Sequence, residues 1–471
     1  FFCTIIEVNM KSKEPQLIKP FTTAIPIFYF FIFHFTFSQD LFFMGAMGLR
    51  ITNPIAINIF SGLNSDLTEL KGIPCLGAFL KNWMACGTSN LTNLFSNIFI
   101  NIGQRSSWYA SLICDGLLKG LEAVLNFIPQ MLLLFFFIAI LEDSGYMARI
   151  AFILDRAFRK FGLSGKAFIP MLTGFGCSVP AILATRTLQN EKVKNRTIRL
   201  ITCFSCGAKA PIWTLLASLG VLGGFQGDLF VFSIYLAGIV LAIVLAIFMK
   251  LFDKNIYTSP FIMELPNYHL PQLKNVGSLL WEKLKHFLVK AGTVIAACLI
   301  ILWFLQSFGI ENNSFTLVKD TSHSFIAYIG KGLQYVFYPC GWAIGPDGWK
   351  YTVSSLTGLV AKENVVSSIS IFFNETSTIS LPAYGIFSFA IFNLLTLPCI
   401  AALSAARSEQ TKMEFLKTLL FWFLLSYITS ALVFWTGKLF EVNLAAGIIV
   451  ISILFIGVVT SGILVSHRNK I

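Results

Sequence analysis

Eight runs of roughly twenty apolar residues, at 21–37, 121–141, 200–222, 228–250, 287–308, 384–406, 416–438 and 444–466, limit what this chain can fold into. The hydrocarbon layer of a bilayer is ~30 Å thick and takes about 20 helical residues to cross. Composition agrees with that reading. The 471 residues are 56% hydrophobic and 12% charged, against about 25% charged in soluble domains. The expected fold is therefore all-α: a polytopic membrane protein with about eight transmembrane helices. The formal charge of +12 then reads as loop anchoring by the positive-inside rule rather than as nucleic-acid binding. Ten cysteines show no disulfide spacing, which excludes a secreted covalent framework.

Two further apolar segments, 168–188 and 352–372, are interrupted by Gly and Pro or by charge and read as re-entrant, broken-helix hairpins. Lys11, Lys13 and Lys19 precede the first crossing and place the N-terminus inside. Basic residues flank 168–188 on both sides, from Arg149 to Lys166 and from Lys192 to Arg199. The stretch 309–350 is poor in basic residues and 373–383 has none, so both read as external. Arg407, Lys412, Lys417, Arg468 and Lys470 return inside, leaving both termini cytoplasmic. The second hairpin unit is then the first turned upside down, although sequence identity between them is slight. Inverted repeats with paired broken segments hold their substrate near the bilayer midplane.

The chain divides into five regions on this basis. Residues 1–120 hold a basic segment, the first crossing and an external region, 121–252 a first gate repeat, and 253–286 a cytoplasmic loop. In that loop 253–272 is extended and 273–290 begins a basic amphipathic helix. Residues 287–440 form the inverted second repeat, and 441–471 the last crossing and a cytoplasmic tail.

Helix breaks inside a membrane strip backbone groups of their partners and survive only where protein buries them or water lines them. Gly174-Phe175-Gly176-Cys177-Ser178-Val179-Pro180 and Ser205-Cys206-Gly207-Ala208-Lys209-Ala210-Pro211 each set a cysteine in such a break, and Pro398-Cys399 does the same. Thiolate suits iron, copper or zinc, whereas hard cations prefer oxygen. Conduction demands weak enough binding to let the ion go. Cys177, Cys206 and Cys399 are the expected metal ligands, against the bland reading of buried cysteine as a small hydrophobe. Glu363 joins them as an ionisable residue at membrane depth that ligates metal, carries a proton or pairs with Lys362. Secondary candidates are Cys203, the inner-end carboxylates Glu142 and Asp143, and Glu264 and His269 in the proline-rich inner loop. Arg186 and Lys209 read equally as counter-charges to a gate carboxylate or as topology determinants.

The run from Glu142-Asp143-Ser144-Gly145-Tyr146-Met147-Ala148-Arg149 through Pro170-Met171-Leu172 and Gly176-Cys177-Ser178-Val179-Pro180-Ala181 to Ala184-Thr185-Arg186 resembles the membrane region of the ferrous iron transport protein B (FeoB) family. Ser205-Cys206-Gly207-Ala208, Met263-Glu264-Leu265-Pro266-Asn267-Tyr268, Gly358-Leu359-Val360-Ala361-Lys362-Glu363 and Pro398-Cys399 come in the family's order, so the resemblance covers roughly 121–440. It implies a transporter importing Fe2+ across the bacterial inner membrane. It also implies regulation or drive by an N-terminal GTP-binding domain with GTP and Mg2+. No Gly-x4-Gly-Lys-Ser/Thr loop occurs in this chain, and Gly165-Lys166-Ala167 lacks the spaced glycine and the hydroxyl.

The chain, which starts at Phe1, therefore reads as a fragment whose G domain and GTPase activity lie upstream or in trans. Implied partners are the lipid bilayer, ferrous ion, that G domain and small regulatory iron-transport proteins. Nucleic acid is not among them, and a homo-oligomer is compatible with the reading. Two alternatives stay open. An inverted-repeat carrier of nucleosides or other organic solutes would want Asn, Gln and Glu in its hairpins. An inactive fragment of a split transporter gene would have no activity of its own.

Overall fold

The computed structural model describes residues 138–218, 227–252, 271–311, 314–317, 324–373 and 381–442, with scattered positions before 138. The chain divides into two units, Phe1–Thr88 and Ser89–Ile471. In the first, β1 (Arg50–Ile51) and β2 (Leu70–Lys71) pair antiparallel. The expected crossings at 21–37 and 444–466, most of 121–141 and the loop 253–270 lie outside the described residues.

Among its described residues the second unit is helical apart from one hairpin, β3 (Phe308–Glu311) with β4 (Ser314–Leu317). After the helical turn 138–143, α1 (Tyr146–Lys160) is entered through Gly145 at φ 74. A buried carboxylate anchors the chain as it leaves this helix. Asp155 accepts the Gly165 amide at 2.8 Å and pairs with Arg159 at 2.8 Å, which docks the next turn onto α1. Helices α2 (Phe168–Gly174) and α3 (Ser178–Ala184) form the first hairpin. Then α4 (Glu191–Ile201) is capped by Asn190, whose side chain accepts the amides of Lys192 and Val193, with Glu191 in its first turn and Arg199 in its last.

After α4 the chain breaks and resumes as α5 (Ala210–Ser218), followed by α6 (Gly227–Phe252) and the 35-residue α7 (Leu273–Ser307). The basic amphipathic stretch and the crossing at 287–308 are thus one uninterrupted helix; no proline falls between 273 and 307 to separate them. Helix α8 (Phe325–Phe337) leads to the second hairpin, α9 (Gly348–Thr357) and α10 (Asn364–Phe372). Then come α11 (Ala383–Leu395), α12 (Ile400–Glu409) and the 31-residue α13 (Lys412–Val442).

Among the described residues two helices are long and apolar enough to cross a membrane singly, Leu229–Lys250 and Lys412–Glu441. The bent pair Ala383–Leu395 with Ile400–Glu409, turned by 40°, counts as a third span if taken together. The crossings expected at 200–222 and 384–406 are therefore not single straight helices. In the first, the chain leaves the helix at Thr202 to Cys206. In the second, Pro398 has no N–H to continue α11, and the residues before it turn extended. Each half accordingly runs hairpin, broken helix, long helix.

Packing holds the second half together and, at Gly238, brings the first half against it. Helices α11 and α13 approach through Ser388 and Ser430, whose hydroxyls lie 2.8 Å apart, while the Ser388 hydroxyl also stands 2.7 Å from the Cys340 carbonyl. Short polar side chains permit such close helix contact in lipid. Trp342 stacks on Phe337 at 5.2 Å and donates its indole N–H to Ser430. Gly238 brings α6 onto the first half's break; a Cβ there would stand 2.4 Å from the Cys203 carbonyl oxygen and 3.6 Å from Leu394.

At the other end, Glu409 pairs with Arg186 and, at 3.3 Å, with Lys194. Beside it Arg199 binds Glu414 at 3.0 Å and Gln410 donates to Asn195 at 2.8 Å. Replacing Gly238 by Val should lower the melting midpoint of the detergent-solubilised protein, for a cost of about 3 kcal/mol, because a backbone carbonyl cannot yield. Gly332→Ala, where nothing lies within 4 Å, should leave the midpoint unchanged or raise it.

Candidate functional site at four helix breaks

Each half contributes two interruptions. In the first hairpin Gly176 and Cys177 both donate backbone N–H groups to the Thr173 carbonyl at 3.0 Å, and Cys177 is extended (φ −152, ψ 132) before α3 starts. In the following broken helix Cys203 and Phe204 turn back onto Leu200 and Ile201, and Cys206 is again extended (φ −81, ψ 163). In the second half the hairpin tip runs from Gly358 to Glu363, and Cys399 begins α12 after Thr396, Leu397 and Pro398.

The breaks are bonded to one another. The Gly207 amide donates to the Gly176 carbonyl at 3.1 Å, tying the first two. The Ile400 amide donates to the Leu359 carbonyl at 2.9 Å, tying the last two. Lys209 links across the halves: its buried ammonium donates to the carbonyls of Thr202 (3.2 Å), Phe204 (3.4 Å) and Leu394 (2.6 Å). Those three oxygens belong to chain ends where helical amides are missing, so the lysine satisfies acceptors that lipid could not. Trp213 completes the first half by donating to Ser205 at 2.9 Å.

This framework gathers three thiols. Cys177, Cys206 and Cys399 are within electrostatic range of one another, and Cys206 and Cys399 also of the ammonium groups of Lys209 and Lys362. Cys177 is buried, while Cys206 and Cys399 keep partial exposure. Among the described residues no group of three or more His, Cys, Asp or Glu side chains is close enough to cage a metal ion. The thiols share a neighbourhood without closing a coordination shell. An open arrangement of soft donors and turned-out carbonyls can hold a soft cation transiently; a closed four-thiolate cage would retain it.

The remaining candidates separate. Glu363 is half-buried at the start of α10. It makes no hydrogen bond with its neighbour, since Lys362 Nζ donates none among the described residues. Cys203 is fully buried beneath Gly238 and near Lys209. Asp143 accepts the Gln272 amide at 2.8 Å and the Asn275 amide group at 3.4 Å, which fastens the start of α7; Glu142 beside it is exposed. Glu264 and His269 lie outside the described residues. Arg186 does meet a carboxylate, Glu409, whereas Lys209 meets carbonyls. The Lys209 clamp is the functional feature that motif reading did not find; a lysine set in an apolar run between Gly207 and Pro211 was its visible signal.

Comparison with known proteins agrees with this geometry. The family model described as Gate, nucleoside recognition, matches residues 124–222 and 288–412, which contain all four breaks. The model for the C terminus of ferrous iron transport protein B matches residues 231–283. The Fe(2+) transporter FeoB of Methanocaldococcus jannaschii is 41% identical over 318 residues, covering 64% of this chain and 46% of that protein. The Fe(2+) transporter FeoB of Campylobacter jejuni is 34% identical over 384 residues, covering 78% and 58%. A fusion of Fe(2+) transport protein A with Fe(2+) transporter FeoB from Porphyromonas gingivalis is 35% identical over 335 residues, covering 64% and 38%. The chain thus spans about half the length of the curated relatives it matches. With the two models together matching residues 124–222, 231–283 and 288–412, and with these relatives beside them, the chain belongs to the ferrous iron transport protein B family and carries its membrane gate region.

Proposed function

We propose that this chain forms the membrane pathway by which ferrous iron enters a bacterial cell across the inner membrane, with Cys177, Cys206 and Cys399 as successive ligands. The observation that carries the reading is the convergence of three thiols, each at the start of a resumed helix, on breaks that are hydrogen-bonded together. Ferrous iron is a borderline cation that accepts sulfur, and partial coordination by thiols and free carbonyls allows release. Glu363 supplies a carboxylate at the second tip. The relatives' names, Fe(2+) transporter FeoB, point to the same cargo. The basic loops favour a cytoplasmic location for both termini. The two inverted gate repeats, 121–252 and 287–440, alternate access to the thiols.

Control by GTP and Mg2+ belongs to a G domain upstream or in trans, and the relative fused to transport protein A suggests a small regulatory partner. Nucleoside recognition, the description attached to the matching gate model, supports a second reading as a solute carrier. Thiols in place of amides and carboxylates at the first hairpin tip count against it.

In vesicles holding the intact chain under reducing, anaerobic conditions, Cys177→Ser, Cys206→Ser and Cys399→Ser should each cut ferrous uptake at least tenfold. Cys298→Ser, on α7 away from the breaks, should leave uptake near the parent value. Equal uptake in all four would remove the thiol pathway, and saturable uptake of labelled nucleoside would favour the carrier. The 471-residue chain alone should release no phosphate from GTP above a protein-free control, as read by a phosphate-release assay; measurable turnover would place a nucleotide site in this chain.

A further inference from the structure

Helix α1, which leads into the first hairpin, has two unlike faces. Met147, Ala151 and Asp155 are buried against the protein. On that side Asp155 holds the Gly165 amide, and Phe158 meets the Phe168 ring edge-on at 6.0 Å. The buried face therefore carries the hairpin. On the other side Phe152, Arg156 and Lys160 follow one another at four-residue spacing, which sets them along one stripe. All three are exposed. Half-buried Arg159 flanks the stripe. Asp155 is the one acidic residue of α1, and it is enclosed and engaged by Gly165 and Arg159. The outer face thus presents positive charge beside an exposed aromatic ring.

The depth of α1 is set at its C-terminal end. Lys250, where the Leu229–Lys250 span stops, donates to the Lys160 carbonyl at 2.9 Å. Buried Arg196 closes the same junction, donating to the carbonyls of Met249 at 2.7 Å and Gly162 at 3.4 Å. At its other end α1 is entered from 138–143 through Gly145, where the crossing expected at 121–141 stops. A helix with both ends beside the ends of crossings runs along a membrane surface, not through it. The basic flanks make that surface the cytoplasmic one.

We propose that α1 lies in the plane of the cytoplasmic leaflet and that its outer stripe, Phe152 with Arg156 and Lys160, docks the phosphate headgroups of anionic phospholipid. The proposal rests on the membrane placement above and needs no iron. Phe152 enters the acyl boundary while the two cations stay at headgroup depth, the arrangement of an interfacial helix. The cytoplasmic leaflet carries the negative surface potential, so the charge of α1 suits its side. Helix α8, the counterpart before the second hairpin by element order, is chemically different. It exposes Tyr328 and Tyr335, with Tyr338 just beyond, and its one cation, Lys331, lies over the Tyr328 ring at 5.5 Å. Tyrosine suits a membrane interface of either charge. Because the buried face of α1 carries the hairpin, lipid held on the outer face stabilises the fold.

The test uses the full chain in neutral detergent without metal. The melting midpoint, and the lipid retained in native mass spectrometry, are read with added phosphatidylglycerol, phosphatidylcholine or inorganic phosphate. Phosphatidylglycerol should raise the wild-type midpoint by several degrees over phosphatidylcholine, and inorganic phosphate should not. Arg156→Gln and Lys160→Gln should each weaken phosphatidylglycerol binding about fivefold. The double variant should lose the midpoint rise while melting like wild type in phosphatidylcholine. Arg156→Lys and, on α8, Lys331→Gln should keep the rise, and Phe152→Ser should reduce it at unchanged charge. No preference for phosphatidylglycerol in wild type, or a preference that survives in the double variant, overturns the proposal. An equal rise with inorganic phosphate overturns lipid as the source of the anion. Cys177→Ser should leave the lipid effect intact, so this proposal and the thiol pathway fail separately.

Discussion

Backbone polarity without water is the constraint on which the rest of this structure depends. A helix that stops inside a membrane strands carbonyls and amides that must find partners within the protein. Here they find them in each other and in one side chain: Gly207 with Gly176, Ile400 with Leu359, and Lys209 with Thr202, Phe204 and Leu394. The thiols owe their shared location to these bonds. Cys177 and Cys206 adjoin the first bridge and Cys399 adjoins the second, so satisfying the backbone and assembling the site are the same event.

Much of this was readable in the residues. The Gly and Pro pattern of 168–188 marked a hairpin because those residues cannot extend a helix, and it singled out the thiols at such points as candidates for chemistry. The apolar stretches at 200–222 and 384–406 misled, since apolarity fixes membrane depth but is indifferent to whether the helix is continuous. Pro398 and the Ser205–Pro211 stretch carried the missing signal. Long-range partnerships were not legible at all. Arg186 read equally as a counter-charge or as a topology residue, and nothing near it in sequence named its partner, Glu409, 223 positions away. Lys209 reaches a carbonyl 185 positions away, and no local pattern encodes an acceptor that is itself main chain. Asp143 gave a similar lesson: a carboxylate at a helix end proved to be a fastening for α7 rather than a group left to solvent.

The repeat gives these details an order. Each half presents a hairpin, a broken helix and a long helix, and the long helices seal the breaks from behind. Helix α6 does so through Gly238, whose missing side chain lets it rest on the Cys203 carbonyl and come close to Leu394. Helix α13 does so through Trp422, which donates to the Arg199 carbonyl at 3.0 Å, and through the serine contact with α11. Small residues govern both contacts, reinforced at α13 by the paired serine hydroxyls, in keeping with an environment where apolar surface alone gives helices no reason to associate.

Glu409 has one further consequence. Its carboxylate, almost wholly enclosed, is shared between Arg186 after the first hairpin and Lys194 on α4. A negative group with a single buried partner resists separation, because parting leaves a naked charge. A group with two can lend one away and stay neutralised. Were α12 to shift against the hairpin, Glu409 could give up either cation and still face the other, so this corner is built as a bearing rather than a bolt.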